Sequence, residues 1–176
     1  MSVNIKLQQH EDIDIKERIY YSIKSKKNQK GDPNLQPIFN YSNFPIIDVM
    51  FSTALDRPAF DYFIKQWLDC YIRQENFTFI FDLNYVKWVS PSYSLLVVKF
   101  MKQLRLHIDE LSYLKTSIIV INNDFIRGLV YYIFKIQKPI SHVYLVSSKD
   151  VAIKIANGDE TAKKNSVNIP PNTLLQ

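Results

Sequence analysis

The sequence contains little glycine and cysteine, and both shortages exclude whole classes of site. Only three glycines occur in 176 residues, so glycine-rich loops that cradle nucleotide phosphates are not expected. Cys70 is the only cysteine, which excludes an intramolecular disulfide framework. It falls within an amphipathic helical pattern, where a small buried side chain is the ordinary role. These features are typical of a protein in a reducing compartment.

Long apolar runs are also missing. No stretch approaches the ~20 consecutive apolar residues that a membrane helix requires. The opening letters, "MSVNIKLQQHED", lack the basic-then-apolar order of a signal peptide. We therefore expect a soluble, intracellular, cytoplasmic protein without a membrane span.

The charge is positive but not concentrated. The formal net charge is +5, and basic and acidic residues are mixed along the whole chain. The densest basic cluster, "KSKKNQK" at 24–30, has no interleaved aromatic residues and no base-reading module beside it. A solvated loop is the favoured interpretation, and nucleic acid is not an expected partner.

Catalytic and metal-binding patterns are absent as well. His10, His107 and His142 show no metal-ligand spacing, and the nucleophile, Walker and dinucleotide motifs do not occur. Asp82 and Asp124 each follow a strand-like run and form the one candidate acid pair, but both positions also suit turn and helix capping. We expect no catalytic residue, no metal, no cofactor and no enzymatic activity.

What the chain does contain is apolar material, arranged in alternating strand and helix patterns. It is 47% hydrophobic and 14% aromatic, enough for a substantial core in one domain. From Phe44 onward the predicted strands are 44–52, 77–83, 116–122 and 142–148. The second of them, "FTFIFDL", is apolar on both faces, which is typical of a central strand covered by helices on both sides.

Four helices are predicted between and after these strands. The first begins at an Asp56 cap with Pro58 in its first turn, and its apolar stripe is Phe60, Phe63, Ile64, Trp67 and Tyr71. The second runs from Pro91 to about His107, with Leu95, Val98, Met101 or Lys102, and Arg105 on successive turns. The third covers 124–137, and the fourth covers 149–157 before an Asn157-Gly158 stop. Strands separated by such helices predict an α/β fold with parallel pairing.

The flanking segments are more polar. Residues 1–43 are expected to form a polar N-terminal segment, with a hairpin near 18–42 that could add strands to the sheet edge. Residues 158–176 are expected to form a flexible tail. The ordered domain is therefore predicted at 44–157.

A serine–proline–serine sequence opens the second helix. Ser90 is placed to accept a hydrogen bond from an amide of the first turn, and Pro91 suits the first helical position. Ser92 then lies in the first turn, near the positive end of the helix dipole. A phosphate there would be favoured electrostatically and would add about two negative charges.

The stretch "FIFDLNYVKWVSPSYSLL" at 79–96 resembles STAS domains, the fold of anti-sigma factor antagonists and of anion-transporter cytoplasmic tails. In that family a buried strand ends in Asp-Leu, a short loop follows, and Asp-Ser-Ser-Gly opens a helix. Asp82-Leu83 match the strand end, and Ser92 matches the serine that the bacterial regulators phosphorylate. The resemblance extends over 44–157 and implies one STAS-like domain with a mixed, mostly parallel sheet of about four to six strands and four helices.

The resemblance implies a non-enzymatic protein-interaction and regulatory module. Another protein would bind through the loop and the helix start, with Tyr85, Trp88, Ser90 and Tyr93 as partner-binding residues and Ser92 as the phosphorylation candidate. Ser90 stands where the family has an acid, and Tyr93 stands where it has a glycine. Any phospho-serine switch is therefore expected to be degenerate.

A weaker resemblance leads to another class of function. Residues 113–140 are similar to a stretch of the CRAL-TRIO (Sec14-like) lipid-binding domain, in which a strand ends in Asn and a helix leads to an aromatic-Lys-Pro turn. This alternative implies a carrier of a lipid or small apolar ligand. It predicts an enclosed cavity of several hundred Å³, on the order of other ligand pockets, lined by aromatic residues.

Overall fold

A six-stranded sheet runs through the part of the chain that the structure describes, and its strands lie side by side in the order of the sequence. The computed structural model describes residues 15–23, 31–107, 109 and 111–171. The strands are β1 (Ile38–Asn40), β2 (Ile46–Met50), β3 (Phe77–Asp82), β4 (Leu114–Val120), β5 (His142–Val146) and β6 (Val167–Ile169). The helices are α1 (15–23), α2 (Arg57–Asp69), α3 (Pro91–Leu106), α4 (Asp124–Ile136), α5 (Lys149–Ala156) and α6 (Glu160–Lys164). The α/β fold expected from the alternating pattern is confirmed.

The central strands are parallel. β3 lies between β2 and β4, and both of these neighbours run parallel to it. β5 continues the parallel set beside β4, while β1 and β6 add antiparallel strands at the edges. The mixed, mostly parallel sheet predicted from the sequence is therefore observed, with its buried central strand in the interior.

Helices cover both faces of the sheet, as the apolar character of β3 predicts. Phe77, Phe79 and Phe81 belong to a large cluster that includes side chains of α1, α2, α3 and α4. The alternate side chain Ile80 belongs to a second cluster with residues of α5. We call the first side the aromatic face and the second the α5 face.

Trp67 of α2 is the centre of the aromatic face. Its ring lies 5.0 Å from that of Phe79, 5.2 Å from Phe81 and 5.3 Å from Phe100, measured between centroids. The five apolar residues predicted for the α2 stripe are all buried. Burying each large side chain contributes roughly 2–3 kcal/mol, so this packing holds α2 and α3 to the sheet.

Helix boundaries follow local hydrogen-bonding chemistry. Asp56 caps α2 by accepting a hydrogen bond from the Ala59 amide at 2.7 Å, as predicted. Asn123 rather than Asp124 caps α4, because its side-chain oxygen accepts from two amides of the first turn. Gly158, at φ 90°, follows α5 and confirms the predicted stop there.

The orientation of α3 differs from the predicted one. Of the positions predicted on its successive turns, Met101 is buried, but Leu95 exposes 58% of its surface, and Ser94 and Leu104 are buried instead. The inward side of the helix runs through Ser94, Met101 and Leu104, and Leu95 lies one residue away from it, which is about 100° around a helix.

The N-terminal prediction was wrong in its first half. Residues 18–23 belong to α1 instead of a hairpin strand, because Ile19 and Ile23, one helical turn apart, both bury against the aromatic face. Lys99 of α3 donates to the Ser22 carbonyl at 2.7 Å. Among the residues of 18–42 that the structure describes, β1 is the segment that pairs with the sheet. The basic cluster at 24–30 lies outside the described residues.

The expectation of a flexible tail at 158–176 was also wrong for its described part. Residues after Gly158 form α6 and then β6, which pairs antiparallel with β5. Ile169 is buried in the aromatic-face cluster. The ordered domain therefore extends beyond residue 157, because a short strand here gains hydrogen bonds from the sheet edge.

Candidate functional site

The carboxyl ends of β2, β3, β4 and β5 lie along one edge of the sheet, and the loop 83–90 connects β3 to α3 there. We call this segment the rim loop. Its backbone is hydrogen-bonded to the end of β4 and to the segment after β2. The Leu83 amide donates to the Val120 carbonyl at 3.0 Å, and the Lys87 amide donates to the Thr53 carbonyl at 3.1 Å. The rim loop is therefore fixed to the scaffold rather than free of it.

Asp82 helps to hold this loop. Its buried carboxylate accepts a hydrogen bond from the Asn84 amide at 3.0 Å, and the Asn84 side chain accepts from the Asn122 amide at 3.1 Å. These two bonds connect the ends of β3 and β4. Asp124, the other acid of the candidate pair, is exposed in the first turn of α4. The observed contacts of Asp82 serve to shape the turn.

The two predicted aromatic anchors on the rim loop point into solvent. Tyr85 exposes 59% of its surface and Trp88 exposes 57%, whereas Val86 between them is buried. Burial of Val86 anchors the loop and leaves its flanking aromatic side chains outside. Trp and Tyr are enriched at protein interfaces, so their exposure on a loop that is fixed to the scaffold makes this segment a candidate recognition site.

The helix start differs in detail from the prediction. Ser90 occupies the N-cap position of α3, but its hydroxyl makes no capping hydrogen bond to the backbone. Instead, the hydroxyl oxygens of Ser90 and Ser92 lie 2.7 Å apart and share a hydrogen bond. Ser92 is exposed, so its hydroxyl lies at the surface of the first helical turn.

Tyr93 lies differently from the other predicted partner-binding residues. Its half-buried ring stacks on Phe60 of α2, with 6.0 Å between centroids and 19° between planes. Burial, followed by the nearby Asp56 carboxylate, raises the pKa of Tyr93 above its usual value. The ring therefore contributes mainly to the contact between α2 and α3.

A second feature is an apolar cavity, which the sequence suggested only through the alternative of a lipid or small-ligand carrier. On the aromatic face, a cavity of about 160 Å³ lies between the sheet, the rim loop and three helices. Its lining side chains are apolar apart from four serines, Ser52, Ser94, Ser117 and Ser141, and the apolar ones include Phe63, Trp67, Phe81, Met101, Ile119 and Val130. The buried Ser94 hydroxyl has no hydrogen-bond partner within the described structure.

The spacing of Ser94 in the sequence indicates that it faces the core. Ser94 precedes Val97 and Met101 at helical spacing, and all three line the cavity. A serine in register with apolar residues is thus a pointer to a polar group facing the core. The same reasoning corrects the orientation of α3.

Among the residues that the structure describes, no cluster of three or more His, Cys, Asp or Glu side chains is arranged to hold a metal ion. None of the helices within those ranges combines the length and apolar character needed to cross a bilayer. A scan against protein-family models and searches of curated proteins and of solved structures find no match to this chain.

Proposed function

We propose that this chain is a soluble, intracellular, non-enzymatic, STAS-like interaction and regulatory module that binds another protein through the rim loop and the start of α3. One observation carries the proposal: Tyr85 and Trp88 expose more than half of their surfaces on a loop whose backbone is hydrogen-bonded to neighbouring elements. The parallel β2–β5 set within 44–157 supports the STAS-like part.

Physical chemistry favours such a surface for binding. Trp and Tyr are the residues whose truncation most often costs more than ~2 kcal/mol at protein interfaces. Because the rim loop is already fixed by its backbone hydrogen bonds, a partner would order few additional groups on binding. Exposed Leu95, on the next turn of α3, extends the apolar area.

Ser92 gives the same surface a means of regulation. Its hydroxyl is exposed in the first turn of α3, and a phosphate there would replace the Ser92 O–H that shares a hydrogen bond with Ser90 and would add about two negative charges. A partner that binds Trp88 as an apolar anchor would have this charge four residues further along the chain. Ser92→Glu is expected to weaken binding at least about tenfold, and Ser92→Ala less than about twofold.

The test of the surface is partner capture with matched aromatic controls. The wild-type protein, Tyr85→Ala/Trp88→Ala and Phe125→Ala/Tyr132→Ala are each used as bait in an extract of the source cells. Phe125 and Tyr132 expose 56% and 53%, close to the fractions for the rim-loop pair, but lie on α4. Proteins that bind the first and third baits and not the second would support the rim loop.

A photo-crosslinking residue at position 88, compared with one at 125, then identifies which captured protein touches the loop. Equal capture by all three baits, or crosslinks only from 125, would count against the proposed surface. Circular dichroism spectra of the baits must agree, so that loss of capture cannot be assigned to unfolding.

The alternative function, a carrier of a lipid or small apolar ligand, has its support in the cavity. At about 160 Å³ the cavity is smaller than the several hundred Å³ that this alternative predicts. A diacyl lipid does not fit such a volume. Only the small-ligand form of the alternative is therefore compatible with the observed packing.

A further inference from the structure

The cavity has the size and chemistry of a binding site for one compact molecule. Engineered cavities of ~150 Å³ lined by Leu, Ile and Phe stay dry and take up benzene. The volume here is similar, and the lining is likewise almost entirely hydrocarbon. Filling it would restore the dispersion contacts that the lining atoms lack on their open side.

Ser94 adds a feature that a simple packing defect does not explain. Its hydroxyl is buried, with 2% of the residue exposed, and has no hydrogen-bond partner within the described structure. A buried polar atom without a partner is destabilising, and native proteins contain few of them. The other residues of α3 near it, Val97 and Met101, present only apolar groups to the same space.

We infer that this cavity binds a compact cyclic or aromatic molecule of about six to eight non-hydrogen atoms that carries one hydrogen-bonding group, and that the hydroxyl of Ser94 recognises this group. The inference deepens the small-ligand alternative and is independent of the rim-loop surface. Trp67 and Phe81 supply aromatic walls, and Ser94 supplies orientation.

The experiment compares two molecules of equal shape. p-Cresol and p-xylene differ only by a hydroxyl in place of a methyl group. Each is titrated into the protein carrying ¹³C-labelled isoleucine methyl groups. Ile119, Ile126 and Ile133 line the cavity, whereas Ile80, Ile118 and Ile155 lie in the α5-face cluster and serve as internal controls.

Both molecules are expected to shift the cavity methyl signals and leave the control signals unchanged. The affinity for p-cresol relative to that for p-xylene should be about five to ten times higher in the wild-type protein than in Ser94→Ala, because only p-cresol can form a hydrogen bond with Ser94. Binding of p-xylene should be retained in Ser94→Ala. The alanine variant should fold well, because it removes an unpartnered buried hydroxyl.

A cavity-filling variant gives an independent check. Val130→Phe places a larger side chain in the same space and should reduce the affinity for both molecules at least tenfold. If that variant does not fold, the localisation of the shifts in the wild-type protein still tests the site.

Three results would overturn the inference: no shift with either molecule up to its solubility, shifts spread equally over both clusters, or an undiminished p-cresol preference in Ser94→Ala. A protein that keeps its partners through the rim loop but takes up neither molecule would reject the cavity inference alone. Loss of partner capture with intact p-cresol binding would reject the rim-loop proposal alone.

Discussion

At the scale of single residues, hydrogen-bond geometry decides which of two adjacent polar side chains stabilises a helix. The Asn123 side chain accepts from the Phe125 amide at 2.9 Å and from the Ile126 amide at 3.2 Å, while Asp124 follows it inside α4. Asn123→Ala should lower the free energy of unfolding by about 1 kcal/mol. Asp124→Ala should cost only about half as much, from lost attraction to the helix dipole. Urea denaturation measures both, and a larger loss for Asp124→Ala would contradict this assignment of the cap.

Burial controls the chemistry of the one cysteine. Cys70 is 3% exposed, and burial raises the pKa of its thiol to about 12. At about pH 8 the folded protein should therefore react with a thiol reagent roughly a thousandfold more slowly than the unfolded chain, whose thiol has a pKa near 8.5. Because the pKa is raised in the folded state, the associated stability is present below about pH 8.5 and is lost progressively above it.

The control for this prediction is Cys70→Ala/Ser112→Cys, which moves the thiol to an exposed position. It should react at a similar rate folded and unfolded. Rapid labelling of native wild-type protein would show that α2 opens readily at Cys70.

Trp88 and Tyr93 show that the sequence did not predict which aromatic side chains of this segment are exposed. Both were candidates for the same binding surface, yet Trp88 is exposed while Tyr93 stacks on Phe60. The difference arises from the position of α2 relative to α3. A tertiary relation of this kind is not encoded in the local pattern of either residue.

At the scale of elements, the long, strongly periodic helices and the apolar strands were predictable, and the short edge strand β6 was not. β6 has only three residues, which are too few for an alternating pattern to mark it as a strand. Its stability comes from pairing with β5 and from burial of Ile169, which are properties of the sheet rather than of the segment. The helix α1 was missed for a related reason, since its two isoleucines are buried only through their contact with the aromatic face.

The contribution of β6 can be measured with a matched pair of substitutions. Ile169 is 8% exposed and Val167 is 43% exposed on the same strand. Ile169→Ala should lower the free energy of unfolding by about 2 kcal/mol, because it removes buried methyl groups. Val167→Ala should cost less than about 0.5 kcal/mol. Equal effects in chemical denaturation would mean that β6 is not packed on the sheet.

At the scale of the whole molecule, the two faces of the sheet are packed differently. The α5 face carries a small aliphatic cluster, whereas the aromatic face carries four helices and the cavity. The parallel sheet followed from the alternation of strands and helices and from the apolar run 77–83. The cavity could not be predicted in that way, because it is a small difference between the space enclosed by three helices and the volume of the side chains that fill it.

The two tryptophans provide a test of this arrangement, because one is buried in the core and the other is exposed to solvent. Trp67 lies in the centre of the aromatic face and is 6% exposed, whereas Trp88 on the rim loop is 57% exposed. In Trp88→Phe the remaining fluorescence should resist iodide quenching until the core unfolds. In Trp67→Phe the remaining fluorescence should be quenched at least about fivefold more efficiently in the native protein, since a charged quencher reaches only solvent-exposed rings.

Equal quenching efficiencies of the two native variants would mean either that the rim loop is covered, as in a self-associated protein, or that the core around Trp67 is open to solvent. Repeating the measurement over a range of protein concentrations separates these cases, because only self-association would make protection of Trp88 rise with concentration.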